Sequence, residues 1–260
     1  MSLGAEGVGA GNLPELSEFE LQMYARQLQL PEFGIAEQRK LKAATVMLSR
    51  VGGVGGTVAL LLARAGIGGV VLAHDGIIEP ENLNRMFLAF REHLGRPRSE
   101  VFRETLLRIN PDLKIVAVNE NVTEKNVMRL AAHADIIVDS APEFEERYLM
   151  NREAIRQNKP LVMAAMSGLE GYVTTILPGK TPCLSCLYPE PPEYWNALGF
   201  PVMATSATLV ASVAAMEVIK LLTGHGETLA GQLLYCDLST NVFQRMQVVR
   251  RADCAVCKGG

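Results

Sequence analysis

Residues 44–69, ATVMLSRVGGVGGTVALLLARAGIGG, constrain this chain more than any other stretch. An apolar run of β type leads into a glycine-rich turn, and a helical run then closes on Gly66. Gly52, Gly53, Gly55 and Gly56 let the backbone turn sharply and lie close to a ligand, and the free N–H groups that open the following helix favour a phosphate. The stretch therefore reads as the opening strand, turn and helix of a nucleotide-binding α/β domain. It departs from the dinucleotide fingerprint G-x-G-x-x-G at one place, because counting back from Gly52 and Gly55 puts Arg50 where the first glycine belongs.

The flanking sequence repeats the alternation of strand and helix. Residues 16–30 predict a helix capped by Ser17, with Glu20 three residues on, that ends near Pro31. Residues 35–42 predict a second helix and residues 69–73 the next strand, which runs into His74-Asp75-Gly76. A helix over 101–109, a strand over 114–118, a capped helix over 123–131 and a strand over 135–139 follow. Such alternation implies a mostly parallel sheet covered on both faces, with ligands at the carboxyl ends of its strands.

Beyond a strand at 161–166 the pattern changes, and 171–177, 231–236 and 242–249 read as strands of a different, antiparallel half. Residues 204–222 suggest a membrane span until Glu217 and Lys220 are noticed, so a buried or dimer-facing helix is the better reading. The expected fold class is thus α/β: a Rossmann-like, mostly parallel sheet with helices on both faces, an antiparallel C-terminal half and a four-cysteine zinc site. Residues 1–15 are expected to be a disordered leader. Residues 16–260 form one domain, with a nucleotide-binding part at 44–166 and a second part at 167–260.

A chain of 260 residues with 48% hydrophobic residues can bury a sizeable core as a soluble globular protein. A formal charge of −3 leaves no electrostatic footprint for nucleic acid or a membrane surface. The first residues, MSLGAEGVGAGN, lack the basic and apolar regions of a signal peptide, which makes the cytoplasm the default expectation.

The strongest local signal comes from cysteine spacing. Cys183-x-x-Cys186 and Cys254-x-x-Cys257 are two pairs of metal-knuckle type, and four thiolates suit a tetrahedral zinc. Four protein ligands leave no open position, so the zinc is structural, stapling the C-terminus to the loop near residue 185. The competing reading is two unrelated reduced pairs or disulfides. Cys236, left over on an apolar strand, is assigned to the core.

Taken together, Tyr24-x-Arg26-Gln27, the glycine turn, Asn82-Leu83-x-Arg85, Arg108-Ile109-Asn110-Pro111 and the two CxxC pairs resemble the ubiquitin-activating-enzyme superfamily of ThiF/MoeB/HesA type. The resemblance runs from about residue 16 to the end. It implies a homodimer that uses ATP and magnesium to adenylate the C-terminal glycine of a small ubiquitin-like sulfur-carrier protein. It also implies roles for single residues. Arg26 matches the arginine that reaches the phosphates in the neighbouring subunit, while Asn82 and Arg85 match the polar pair beside the phosphates. Guanidinium groups suit that task because they grip phosphate oxygens bidentately and stay charged. For Arg26 a solvated helix face is the equal alternative.

Several positions depart from the family pattern. Arg50 replaces a glycine, and the acidic D-x-D whose first aspartate holds ribose reads His74-Asp75-Gly76, where a one-residue shift would bring in Asp75. Arg98 stands for a lysine. In Asp139-Ser140-Ala141-Pro142-Glu143 a proline holds the place of the magnesium-binding aspartate, so that a hard cation must use Asp139 or Glu143 or go unbound. Ala197 or a neighbour takes the place of the thioester-forming cysteine of some relatives. The catalytic candidates are thus Arg26, Arg85 and Arg98, and the cofactor-binding candidates are Arg50, Gly52, Gly53, Gly55, Asp75, Asn82, Arg85 and Asp139. Arg50 is expected to fill the adenosine space or to hold the phosphates, its alternative being an outward turn to a surface carboxylate. Three functions follow in order: an adenylyltransferase with impaired chemistry, a catalytically degenerate binding or regulatory relative, and, weakly, an NAD(P) oxidoreductase.

Overall fold

The computed structural model describes residues 13–193, 195–196 and 199–257, so residues 1–12 of the expected leader and Ala197 lie outside the described residues. Helix α1 (Glu18–Met23) starts as expected: the Ser17 hydroxyl accepts the Glu20 N–H, and the Glu20 carboxylate accepts the Ser17 N–H at 2.7 Å. The helix expected to reach residue 30 stops six residues after the cap, and Gln27–Gln29 forms a separate 3₁₀ turn. Tertiary contacts impose the break. Tyr24 is buried against Gly66, and the Gln27 amide donates to the Ala65 carbonyl at 3.0 Å. Helix α2 (Ile35–Ala43) follows, and its Arg39 and Lys42 donate to the carbonyls of Leu13, Pro14 and Glu15, so this part of the leader is held against the domain.

The organising stretch folds as strand β1 (Thr45–Ser49) and helix α3 (Gly53–Ala65), closed by Gly66 in the left-handed conformation at φ 91°. Next come β2 (Gly69–Ala73), α4 (Arg98–Ile109), β3 (Lys114–Val118), α5 (Val127–Ala132) and β4 (Ile136–Asp139). Helix α4 begins three residues before the expected start. Helix α5 begins four residues late, because the Asn126 side chain accepts the Thr123 N–H at 2.8 Å and holds 123–126 as a turn.

Helix α6 (Phe144–Arg156) has no counterpart among the elements expected from sequence. Its inward face carries buried Glu146, Arg147, Asn151 and Glu153 beside Leu149 and Met150, which erases the apolar period that marks a core helix. The remaining elements are β5 (Leu161–Ser167), β6 (Glu170–Ile176), α7 (Leu184–Leu187), α8 (Ala204–Thr223), β7 (Gln232–Asp237) and β8 (Val242–Gln247).

The eight strands of the described residues form one sheet in the order β3-β2-β1-β4-β5-β6-β7-β8. The first five are parallel and the last three antiparallel, so the expected antiparallel half is not a separate layer but the continuation of the same sheet through the β5–β6 hairpin. Chain order reverses between β1 and β4, where Leu48 pairs with both Leu72 and Val138. Such a reversal opens a crevice beyond the carboxyl ends of the strands. Helix α8 covers the face it shares with α3, burying Val210, Ala211 and Ala214, while α6 and α7 cover the other. Glu217 of α8 is fully buried, accepts the Thr175 hydroxyl and the Leu229 N–H at 2.6 Å each, and pairs with Lys220 at 2.9 Å. The two charges that argued against a membrane span are therefore partners, Glu217 in the core and Lys220 reaching it from the partly exposed side of the helix. Cys236 is buried, as expected.

Candidate functional site

An open cavity of about 530 Å³ lies at the switch point. The α3 start forms one wall with Gly52 and Gly53, and Asn82 and Arg85 line it from the segment after β2. Arg98 lines it from the start of α4 and Arg147 from α6, while Ala164, Ala165, Phe200, Val202 and Ala207 make an apolar side. Four guanidinium groups and one carboxylate, that of Glu81, line it among the described residues. Together with the exposed N–H groups of a 13-residue helix, this is a site for an anion.

Each expected residue has a definite place. Arg98 Nη2 donates to the Asn82 side-chain oxygen at 3.0 Å, and its Nη1 lies 3.1 Å from His74 Nε2. Arg85 is half-buried and steadied by the Glu81 carbonyl at 2.7 Å. Arg26 is exposed and lies outside the cavity lining of its own chain.

Gly55 does not line the cavity, and its role is packing: a Cβ there would overlap Ser140 Oγ and stand 2.8 Å from the Arg50 carbonyl. Asp75 is likewise outside the lining, exposed, with its N–H bonded to Asn121. The inward place at the end of β2 belongs to His74, whose ring burial and the neighbouring Arg98 and Arg50 push its pKa down to about 3, so it is neutral. The one-residue shift to Asp75 is thus not what the fold provides, and the NAD(P) reading loses its ribose acid.

Ion pairs set the surroundings of Asp139 and Arg50. Asp139 is fully buried and accepts Arg147 Nε at 2.9 Å and the Ala141 N–H at 3.0 Å, which leaves it turned into an ion pair rather than toward a cation. Arg50 neither turns outward nor stands free. Its Nε donates to Glu146 at 2.6 Å and its Nη2 to Glu143 at 2.5 Å, while it still lines the cavity. Burial, only partly offset by Arg50, pushes the Glu146 carboxyl up to about 7. Magnesium therefore does not fit the 139–143 turn: Pro142 has no side-chain oxygen, and both acids beside it are engaged by arginine.

Sequence reasoning missed Arg147 and Trp195. Arg147 sits on the helix that lacks an apolar period, so no local signal marks it. Trp195 lines the cavity and donates to the Pro142 carbonyl at 2.6 Å, a contact between distant segments.

Some way off, the four cysteines converge as expected. Cys183 caps α7 and Cys186 lies within it, and the Asn151 side chain anchors this helix through the Leu184 N–H at 3.0 Å. The four sulfurs lie within 4.8 Å of one another, with separations of 3.7 Å (183–254), 3.4 Å (186–257) and 3.6 Å (254–257). Four sulfurs about 2.3 Å from one ion in a tetrahedron stand about 3.8 Å apart, whereas a disulfide needs about 2.05 Å. The cluster fits a metal ion and excludes the disulfide reading.

Comparison with known proteins agrees with this geometry. The ThiF family model matches residues 24–257. The chain is 45% identical over 242 residues to the heterocyst HesA protein of Trichormus variabilis, covering 93% of this chain and 90% of that one. It is 34% identical over 246 residues to a sulfur carrier protein adenylyltransferase of Thermus thermophilus, covering 92% and 91%. Among solved structures, E. coli MccB with AMPCPP and MccA superposes with a TM-score of 0.82 at 25% identity, over 92% of this chain and 75% of that one.

Proposed function

The chain belongs to the ThiF family, and from that premise we propose that it is an ATP-dependent adenylyltransferase acting on the C-terminal glycine of a small ubiquitin-like sulfur-carrier protein, with chemistry impaired at the cation position. The observation that carries the reading is the convergence of the α3 start, Asn82, Arg85 and Arg98 on one cavity at the switch point. In the reaction the carrier's terminal carboxylate oxygen bonds to the α-phosphorus, the bond to the bridging oxygen breaks, and pyrophosphate leaves. Arg85 and Arg98 hold the phosphates and stabilise their charge, and the apolar side of the cavity keeps water from the adenylate. No step is assigned to magnesium. Zinc, where the four cysteines hold it, fixes the C-terminal segment and takes no part in the chemistry.

The homodimer belongs to the same proposal, with Arg26 completing the partner's site, and so does a cytoplasmic location. A second reading, a binding or regulatory relative without turnover, is favoured by Pro142 and by the pairing of Asp139 with Arg147. Carrier-dependent exchange between ATP and pyrophosphate separates the two. Exchange that disappears in Arg98→Ala supports the enzyme, and its absence with nucleotide still bound supports the degenerate relative. Sedimentation as a monomer at micromolar concentration would reject the composite site.

A further inference from the structure

We propose that Arg50 is the cavity's resident counter-cation: its guanidinium holds the phosphates of the bound ligand beside Pro142, so that binding needs no divalent cation. The inference rests on the nucleotide-site reading above and deepens it. Three observations carry it.

The first is position. Arg50 opens the turn between β1 and α3, lines the cavity, and is anchored to Glu143, the residue next to Pro142, and to Glu146 one turn further along α6. A guanidinium, shared with two carboxylates, is thereby fixed beside the place where the family's cation-binding carboxylate would stand.

The second is the donor inventory. Arg50 uses Nε and Nη2 on the two acids, and its Nη1 makes no hydrogen bond among the described residues. A guanidinium has five N–H groups in a planar fork, so donors remain for a phosphate while the anchors hold. Glu143 is 43% exposed and is the partner that an incoming phosphate displaces most easily, whereas Glu146 is 3% exposed and stays.

The third is backbone strain. Arg50 has φ 49°, a left-handed conformation that disfavours a residue with a Cβ and that glycine would adopt freely. A change to glycine relieves the strain but leaves buried Glu146 without its cation, so Arg50→Gly is read together with its unfolding midpoint and beside Glu143→Gln, which keeps that pair. The other carboxylates near the cavity do not serve a cation: Asp139 is paired with Arg147, and Glu81, which lines the cavity, sits beside Arg85, whose charge opposes a metal ion there.

The test is calorimetric titration of the full chain with tripolyphosphate and with ATP, each in excess magnesium and in EDTA. For the wild type the affinities with and without magnesium should agree within about twofold. Arg50→Gly should weaken both ligands by roughly ten- to hundredfold, the range for one charge-assisted contact. Glu143→Gln, which frees Nη2, should tighten them. Magnesium-dependent binding to the wild type, unchanged binding in Arg50→Gly, or no binding of either ligand would each overturn the proposal. Tight metal-independent binding without carrier-dependent exchange would sink the adenylyltransferase reading and leave this one standing.

Discussion

Replacing Gly55 by alanine should destabilise the fold far more than a glycine-to-alanine change in a helix ordinarily does. Alanine is the better helix former by about 1 kcal/mol, so propensity alone predicts a gain. Geometry reverses the sign. The new Cβ would stand 2.8 Å from the Arg50 carbonyl and 3.1 Å from the Ser49 carbonyl, both backbone atoms, and would overlap Ser140 Oγ. Backbone at the end of a buried central strand cannot yield cheaply, and overpacking of this kind costs about 1–3 kcal/mol. Displacing Ser140 also breaks its 2.6 Å hydrogen bond to the Ser49 carbonyl, worth about 1 kcal/mol.

Less the propensity gain, the expected net loss is about 2 kcal/mol, or a fall of roughly 4–8 °C in melting temperature for a domain of this size. Thermal and urea unfolding read it directly. Ser140→Ala in the same chain should recover only part of the loss, because the two carbonyl contacts persist. Gly53→Ala is the control. Its Cβ would meet only the Arg85 side chain at 3.1 Å, so stability should hold while tripolyphosphate binding weakens. A Gly55→Ala protein within about 0.5 kcal/mol of wild type, or full rescue by Ser140→Ala, would refute the packing argument.

Elemental analysis should find one zinc per chain, and Cys254→Ser should lose the ion and unfold well below the wild type; a metal-free protein of full stability would reject the site. By NMR the His74 ring should stay neutral at pH 5, since burial beside Arg98 and Arg50 depresses its pKa to about 3. Its contribution to stability is therefore lost as pH falls from about 6.5 toward 3, and titration near the ordinary histidine value would contradict the buried placement. Glu146 acts in the opposite sense. A folded pKa raised to about 7 means that the native state binds the proton more tightly, so its share of stability declines as pH rises from about 4.5 to 7. Glu146→Gln should flatten that slope, measured as the difference from wild type in urea midpoints between pH 5 and 8, and an unchanged slope would refute it.

Much of the fold was legible because its signals are local. The β1–α3 turn declares itself through glycines that few other conformations require, β2 and β3 through short apolar runs, and the metal cluster through two CxxC pairs whose spacing already sets the knuckle geometry. Family membership was legible for the same reason, since its motifs are short and keep their order along the chain. Tertiary structure alone decided the rest, because each remaining question turned on which distant group a charge would meet. Arg50 is as compatible with a free cation as with an outward salt bridge until α6 brings Glu143 and Glu146 to it. Asp139 is a plausible cation ligand until Arg147, eight residues on, occupies its carboxylate. His74 and Asp75 exchange roles through a choice of one strand residue, made by burial against Phe102 and Arg98. Helix α6 escaped notice because its buried face is built from these ion pairs, and hydrophobic periodicity carries no record of a polar group whose partner lies on another element.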